Sequence, residues 1–197
     1  MIKRIDRLYH LAERANYASI VEHGLMSTSQ LLRHAGMPKQ KCRALLRSHR
    51  PDNMRISETV MIRDQKPMPP AALAPALGQG LEPADWYEFL NGFVFLWADE
   101  ERLMRHLKAC QNRPQILLTF SVPAIVKDFG KDAFVSPINS GNARRKPASR
   151  DRDTFVPYAT WLRDGWPTGQ RTRSPAEFVL RCELPVVVPY LTRTEHV

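Results

Sequence analysis

Residues 8–32 read LYHLAERANYASIVEHGLMSTSQLL and residues 174–191 read SPAEFVLRCELPVVVPYL. The first stretch predicts a short strand that ends on Tyr9 and His10, then a helix. Asn16 is suited to cap that helix, Tyr17, Ile20 and Val21 fall on one of its faces, and Gly24 stops it at the C′ position. Ser27-Thr28-Ser29 offers a cap for a second helix carrying Leu31 and Leu32. Pro38 suits the first turn of a third, with Cys42, Leu45 and Leu46 inward and the arginines outward. In the second stretch AEFVLRCELPVVV, residues 176–188, reads as a strand long enough to be a central hairpin partner.

Between these ends, TVMIR at 59–63 reads as a strand and the proline-rich run after it as irregular until about Ala71. PADWYEFLNG predicts a helix from Pro83 closed by Gly92. FVFLWAD at 93–99 then has the composition of a buried strand. Asp99 caps a helix whose stripe is Leu103, Leu107 and Cys110. QILLTFSV at 115–122, AFVSPI at 133–138 and FVPYATW at 155–161 are further strands. The segment 136–153 between the last two is an exposed loop rich in turn formers. Helices gather early and strands late, which predicts a single α+β domain over residues 1–197, with N-terminal helices and a largely antiparallel or mixed sheet.

The chain has 197 residues, 43% of them hydrophobic and 25% charged, with a formal charge of +9. That is ordinary globular composition and excludes a disordered tail. No run approaches the ~20 apolar residues of a membrane span, and the basic start meets no apolar h-region, so a cytoplasmic protein without a membrane partner is expected. Three separated cysteines support neither a disulfide framework nor a zinc knuckle. Six histidines without ligand spacing predict no metal site. Phosphate-binding glycine loops, zinc-protease motifs and nucleophile elbows are absent as patterns.

The charge is unevenly spread. Residues 33–50 carry Arg33, Lys39, Lys41, Arg43, Arg47 and Arg50 without an acid. Residues 144–152 add Arg144, Arg145, Lys146, Arg150 and Arg152 against Asp151. Between them, residues 82–101 carry acids only. A polarised surface is expected, with the 144–152 segment beside the loop.

A strand ending in His, a helix and then Gly-Leu resembles the opening of the ADP-ribosyltransferase superfamily, in particular its diphtheria-toxin-like H-Y-E branch and the DarT DNA ADP-ribosyltransferases. Through RDQKPM, WYEFLNGFVFLWAD, SPINSGN and AEFVL, the whole chain also resembles an uncharacterised bacterial family of this length. The resemblance implies an ADP-ribosyltransferase-like fold that binds NAD between the first strand-helix unit and the late strands. It implies transfer of ADP-ribose to an acceptor such as a nucleic-acid base or end, in DNA or RNA, and carries an antitoxin as a further partner. By its place in AEFVL, Glu177 resembles the catalytic glutamate that steadies an oxocarbenium-like transition state. Glu183, two residues before Pro185, is the rival carboxylate. His10 matches the histidine that holds the adenosine ribose, with Tyr9 beside it, and Arg63 falls where the DarT group bears an arginine near the base. Asn139 and Ser140 border the cofactor in this reading, and Arg144 and Arg145 the substrate. Tyr87, Phe95 and Trp97 are all candidates for the middle aromatic. A non-catalytic nucleotide-binding or nucleic-acid-binding module, an NAD glycohydrolase and an RNA 2′-phosphotransferase-like enzyme are the alternatives.

Overall fold

The computed structural model describes residues 4–110, 112–144, 147–169 and 174–197. The chain opens with β1 (Arg7–Glu13), α1 (Tyr17–His23), α2 (Thr28–His34), α3 (Lys39–Arg47) and a small hairpin of β2 (Met54–Arg55) and β3 (Met61–Ile62). It continues through α4 (Pro70–Leu73), α5 (Pro83–Leu90), β4 (Val94–Trp97), α6 (Glu100–Cys110), β5 (Gln115–Ser121), α7 (Val122–Phe129) and β6 (Ala133–Ser136). It closes with β7 (Val156–Pro157), α8 (Tyr158–Asp164), β8 (Glu177–Leu180) and β9 (Leu191–His196).

Seven strands form one sheet in the order β7-β6-β8-β4-β1-β5-β9. Every strand pair in it is antiparallel. The α+β class and the antiparallel sheet expected from the sequence are therefore present. The order of elements is not as expected, because helices and strands alternate along the whole chain and the earliest strand lies inside the sheet. β1 runs on past His10 to Glu13, so His10 is mid-strand and not at a strand end. FVPYATW gives only the two-residue β7 before Tyr158 starts α8, whose Tyr158 and Trp161 are buried against the sheet. The closing stretch divides into β8 and an edge strand β9 that the sequence did not announce, separated by three strands in the sheet, with Pro185 and Pro189 in the connection between them.

Strand alternation assigns the two faces of the sheet. Leu8, Leu96, Leu118, Phe120, Phe178 and Leu180 face one way and pack with Ile20 of α1, Ile125 of α7 and Trp161 of α8. The opposite face is covered in two parts. Phe93, Val179 and Phe155 pack with Trp86, Tyr87 and Leu90 of α5 and with Leu73 of α4. Leu11 and Leu117 pack with Leu103 and Cys110 of α6. The two covers leave a gap between them over β1, β4 and β8.

The N-terminal helices form a satellite with the small hairpin around Leu32, Cys42 and Ile62. Local chemistry fixes their ends. Ser27 Oγ accepts from the Gln30 amide while Gln30 Oε1 accepts from the Ser27 amide, so the Ser-Thr-Ser run is a capping box. Asn16 precedes α1, but its side chain does not cap it. It bonds both backbone groups of Met61, which fastens the satellite to the end of β1. Arg47 of α3 donates to Asp85 at 2.9 Å and to Glu88 at 2.5 Å on α5. Part of the charge asymmetry read from the sequence is thus internal pairing.

Gly24 closes α1 with φ +84°, and a Cβ there would lie 2.0 Å from the Leu184 carbonyl oxygen. Leu25 and Leu184 exchange backbone hydrogen bonds at 2.9 Å in both directions, joining the start of the chain to its last quarter. Gly24→Ala should therefore cost about 2–4 kcal/mol, from the strained φ together with the backbone collision. Urea denaturation is the measurement, and a midpoint unchanged from the wild type would refute this account of the junction.

Candidate functional site

The gap between the two covers is a cleft of about 1230 Å³. His10, Arg63, Asn139, Ser140, Arg144 and Glu177 all line it, so most of the residues singled out from the sequence come together in one place. Tyr9 does not line it. Its hydroxyl donates to Glu100 Oε2 at 3.3 Å and its ring packs under α6. Arg145 lies outside the described residues. Glu183 is exposed beyond the end of β8, so of the two it is Glu177 that lies in the cleft, where it is the buried carboxyl beside the more open Asp52 and Asp64.

Glu177 starts β8 opposite Trp97 on β4 and Ser136 on β6. It is 5% exposed, its Oε1 accepts from the Ser140 amide at 3.1 Å, and its Oε2 has no hydrogen-bond partner among the described residues. Ser140 Oγ is buried and equally without one. Burial raises the Glu177 pKa to about 7, against the Ser140 hydroxyl and amide, which favour the carboxylate. The hydroxyl thus lies near the carboxyl, yet neither Ser140 Oγ nor Glu177 Oε2 completes a hydrogen bond among the described residues, which is uncommon for buried polar atoms.

β1 and β4 are in register at one residue pair, Tyr9 and Trp97. Beside that pair the His10 ring makes the connection, with Nδ1 donating to the Phe95 carbonyl at 3.0 Å. That bond fixes the tautomer and leaves Nε2 as an acceptor. Burial lowers the His10 pKa to about 4, so the ring is neutral at physiological pH. Of the three candidate aromatics, Phe95 and Trp97 line the cleft. Tyr87 is buried on α5 and does not line it, although its hydroxyl donates at 2.7 Å to the carbonyl of Met68, which does.

The loop over Glu177 is shaped by a residue that the sequence reading counted as surface charge. Arg150 is 1% exposed, and its guanidinium donates to the carbonyls of Asn139, Ser140, Asn142 and Ala148. Four backbone acceptors on one planar fork hold residues 139–142 over the start of β8. Trp86 Nε1 shares the Ser140 carbonyl at 3.4 Å.

Arg63 is reached by a different route. It follows β3 and points into a polar group formed by His106, Cys110, Gln115 and Glu13. The Glu13 carboxylate is 6% exposed and lies 3.9 Å from Arg63 and 3.5 Å from Arg113. Desolvation, together with the adjacent Arg63, holds the His106 pKa down at about 4. The guanidinium of Arg63 is consumed by these neighbours, so at the cleft it contributes charge more than free donors.

Most of the cleft's positive charge comes from outside the two basic segments. Arg63, Arg102, Arg105 and Arg113 line it, beside Arg50 and Arg144 from the segments themselves. The signal for three of them was present in the sequence. Arg102, Arg105, His106, Ala109, Cys110 and Arg113 recur at helical spacing, a stripe beside the apolar Leu103 and Leu107. No group of His, Cys, Asp and Glu among the described residues is arranged to hold a metal ion.

The fold and site together define an antiparallel α+β protein with a basic cleft built around a buried carboxyl. The chain belongs to a family of unknown function, DUF7002, whose model matches residues 6–191. No curated protein and no solved structure matches it.

Glu177 binds a proton more tightly in the folded chain than at its ordinary pKa of 4.5. The folded state therefore loses stability as pH rises from 4.5 through about 7. Glu177→Gln, neutral and of the same shape, should melt above the wild type at pH 8 by on the order of 5 °C and match it near pH 4. A gain that is independent of pH in thermal denaturation would show that Glu177 is not the titrating group.

Arg150→Ala should cost about 3–5 kcal/mol, because it leaves four carbonyls without a donor in a buried position. Arg150→Lys should recover less than half of this, since an ammonium cannot reproduce the planar fork. Chemical denaturation together with limited proteolysis of the 139–150 loop measures both.

Proposed function

We propose that this protein is an NAD-dependent ADP-ribosyltransferase of the H-Y-E type, acting in the cytoplasm on a DNA or RNA acceptor. The observation that carries the reading is the unused Oε2 of Glu177 in a basic cleft that His10 also enters. The first and eighth strands deliver these two side chains from positions 10 and 177, and the resemblance in the sequence singles out the same pair. At about 1230 Å³ the cleft exceeds the ~300–1,000 Å³ of ordinary small-ligand pockets, so a dinucleotide fits its scale.

NAD as substrate would supply a ribose whose bond to nicotinamide breaks, nicotinamide leaving with the bonding pair, while a nucleophile of the acceptor bonds the anomeric carbon and gives up its proton. In this reading Glu177, once ionised, sets negative charge against that carbon as its positive charge grows, and its low-dielectric surroundings strengthen the effect. His10 Nε2 accepts a hydrogen bond from a ribose hydroxyl, its ring held by the Phe95 carbonyl. Trp97 or Phe95 offers a face for a planar base. The surplus of arginine over acid along the walls suits phosphate groups. An antitoxin would act by covering this cleft.

The test is incubation of labelled NAD with DNA, RNA and lysate protein. Label should appear on nucleic acid, with kcat/KM rising with pH through an apparent pKa near 7. Glu177→Gln should lower transfer about a thousandfold or more while leaving NAD affinity within about threefold. Free ADP-ribose as the sole product would make the protein a glycohydrolase. Saturable binding with no nicotinamide released would make it a binding module, and either result refutes the proposal.

A further inference from the structure

We infer that the wall of the cleft formed by α6 and the residues just after it is a binding subsite for a phosphate monoester, centred on Arg105 and Arg113. The inference does not depend on NAD or on any transfer. It rests on how the charges along that wall are paired and on which of them remain.

Several cations of the cleft are already matched. Arg102 Nε lies 3.4 Å from Asp99, and Arg50 is opposed by the nearby Asp64. Arg63 and Arg113 share the single carboxylate of Glu13, at 3.9 and 3.5 Å. Arg105 makes no hydrogen bond or ion pair among the described residues. Setting Glu13 against Arg63, Arg105 and Arg113 leaves a surplus of two positive charges. That matches a phosphate monoester, which carries a charge of about −1.5 to −2 at neutral pH, better than the single charge of a phosphodiester.

Two of these three cations, Arg63 and Arg113, are fixed in place. Glu13 is buried on β1, and Gln115 on β5 binds both Glu13 at 2.9 Å and Arg63. Arg113 is tied to the end of α6 through Cys110 Sγ at 3.6 Å. A buried carboxylate behind two guanidinium groups keeps them together against their mutual repulsion, and their solvent side is the cleft. Arg63 has given its donors to neighbours. Arg113, with donors to spare, and the unattached Arg105 supply the hydrogen bonds to phosphate oxygens.

The test uses the full chain and three probes: inorganic phosphate, a nucleoside monophosphate, and a short oligonucleotide with and without a terminal phosphate. Calorimetry compares the wild type with Arg105→Gln/Arg113→Gln and with an exposed control, Arg43→Gln. Removing the terminal phosphate should weaken wild-type binding about tenfold or more, and the double variant should lose that difference, while the control keeps it. Tighter binding of the phosphorylated oligonucleotide than of the monophosphate identifies a nucleic-acid end as the source, and equal binding identifies a free nucleotide. Either supports the subsite. Equal binding of both oligonucleotides by the wild type overturns it, as does a double variant that weakens both equally, the behaviour of a diffuse basic surface. A double variant that melts lower yet binds as the wild type does also overturns it, because the arginines then serve only to offset the dipole at the end of α6. NAD takes no part, so failure here leaves the transferase reading untouched, and the converse holds.

Discussion

Two half-sheets meet in this protein at one residue pair. The strands β7, β6, β8 and β4 form one half and β1, β5 and β9 the other, and the register between them is carried by Tyr9 and Trp97. A histidine side chain stands in for backbone at the next position. On one face a continuous apolar core spans the seam, so the halves cannot separate there. On the other face no such core exists. The aromatic cluster under α5 and the smaller one under α6 stop on either side, and the cleft is the space between them. The position of the site is therefore a consequence of where the sheet is weakest in backbone pairing and barest in cover.

That arrangement explains how three kinds of polar residue can be buried together. Glu177 tolerates burial because it can hold its proton near neutrality, the half-buried His10 because it is neutral, and Arg150 because backbone carbonyls surround it. None of the three relies on a direct ion pair. Glu13 is the contrasting case, a buried carboxylate kept by two guanidinium groups. Deep polar groups at one end of the cleft are thus managed by protonation, and at the other end by charge pairing.

Much of this was legible in the sequence, for definite reasons. Helix ends with strong local chemistry, at Gly24, Ser27, Pro83 and Asp99, lie where their residues place them. The apolar runs of β4 and β5 gave themselves away by composition. His10 and Glu177, singled out by the motifs that contain them, both line the cleft. What stayed hidden depended on tertiary context. FVPYATW has strand composition, yet Tyr158 and Trp161 are one turn apart and bury a helical face. β9 is an exposed edge strand with little apolar content, so periodicity has nothing to register. Arg150 looks like its neighbours in a basic run, and only the folded loop distinguishes it. The arginine stripe of α6 was visible as spacing, but it was overshadowed by the leucines used to place the helix.

The way Arg150 works bears on how such a cleft can change. Its four acceptors are all main-chain oxygens, and Trp86 and Glu177 bind the main chain of Ser140 beside them, so the path of residues 139–142 is specified mainly from the interior. Shape and surface chemistry are thereby uncoupled. Asn142, whose Oδ1 accepts from the Arg144 amide, is part of that frame, but Asn139 and Arg144 can be exchanged without redrawing the backbone that carries them, and a lineage can alter what the rim of the cleft recognises while the carboxyl beneath keeps its place.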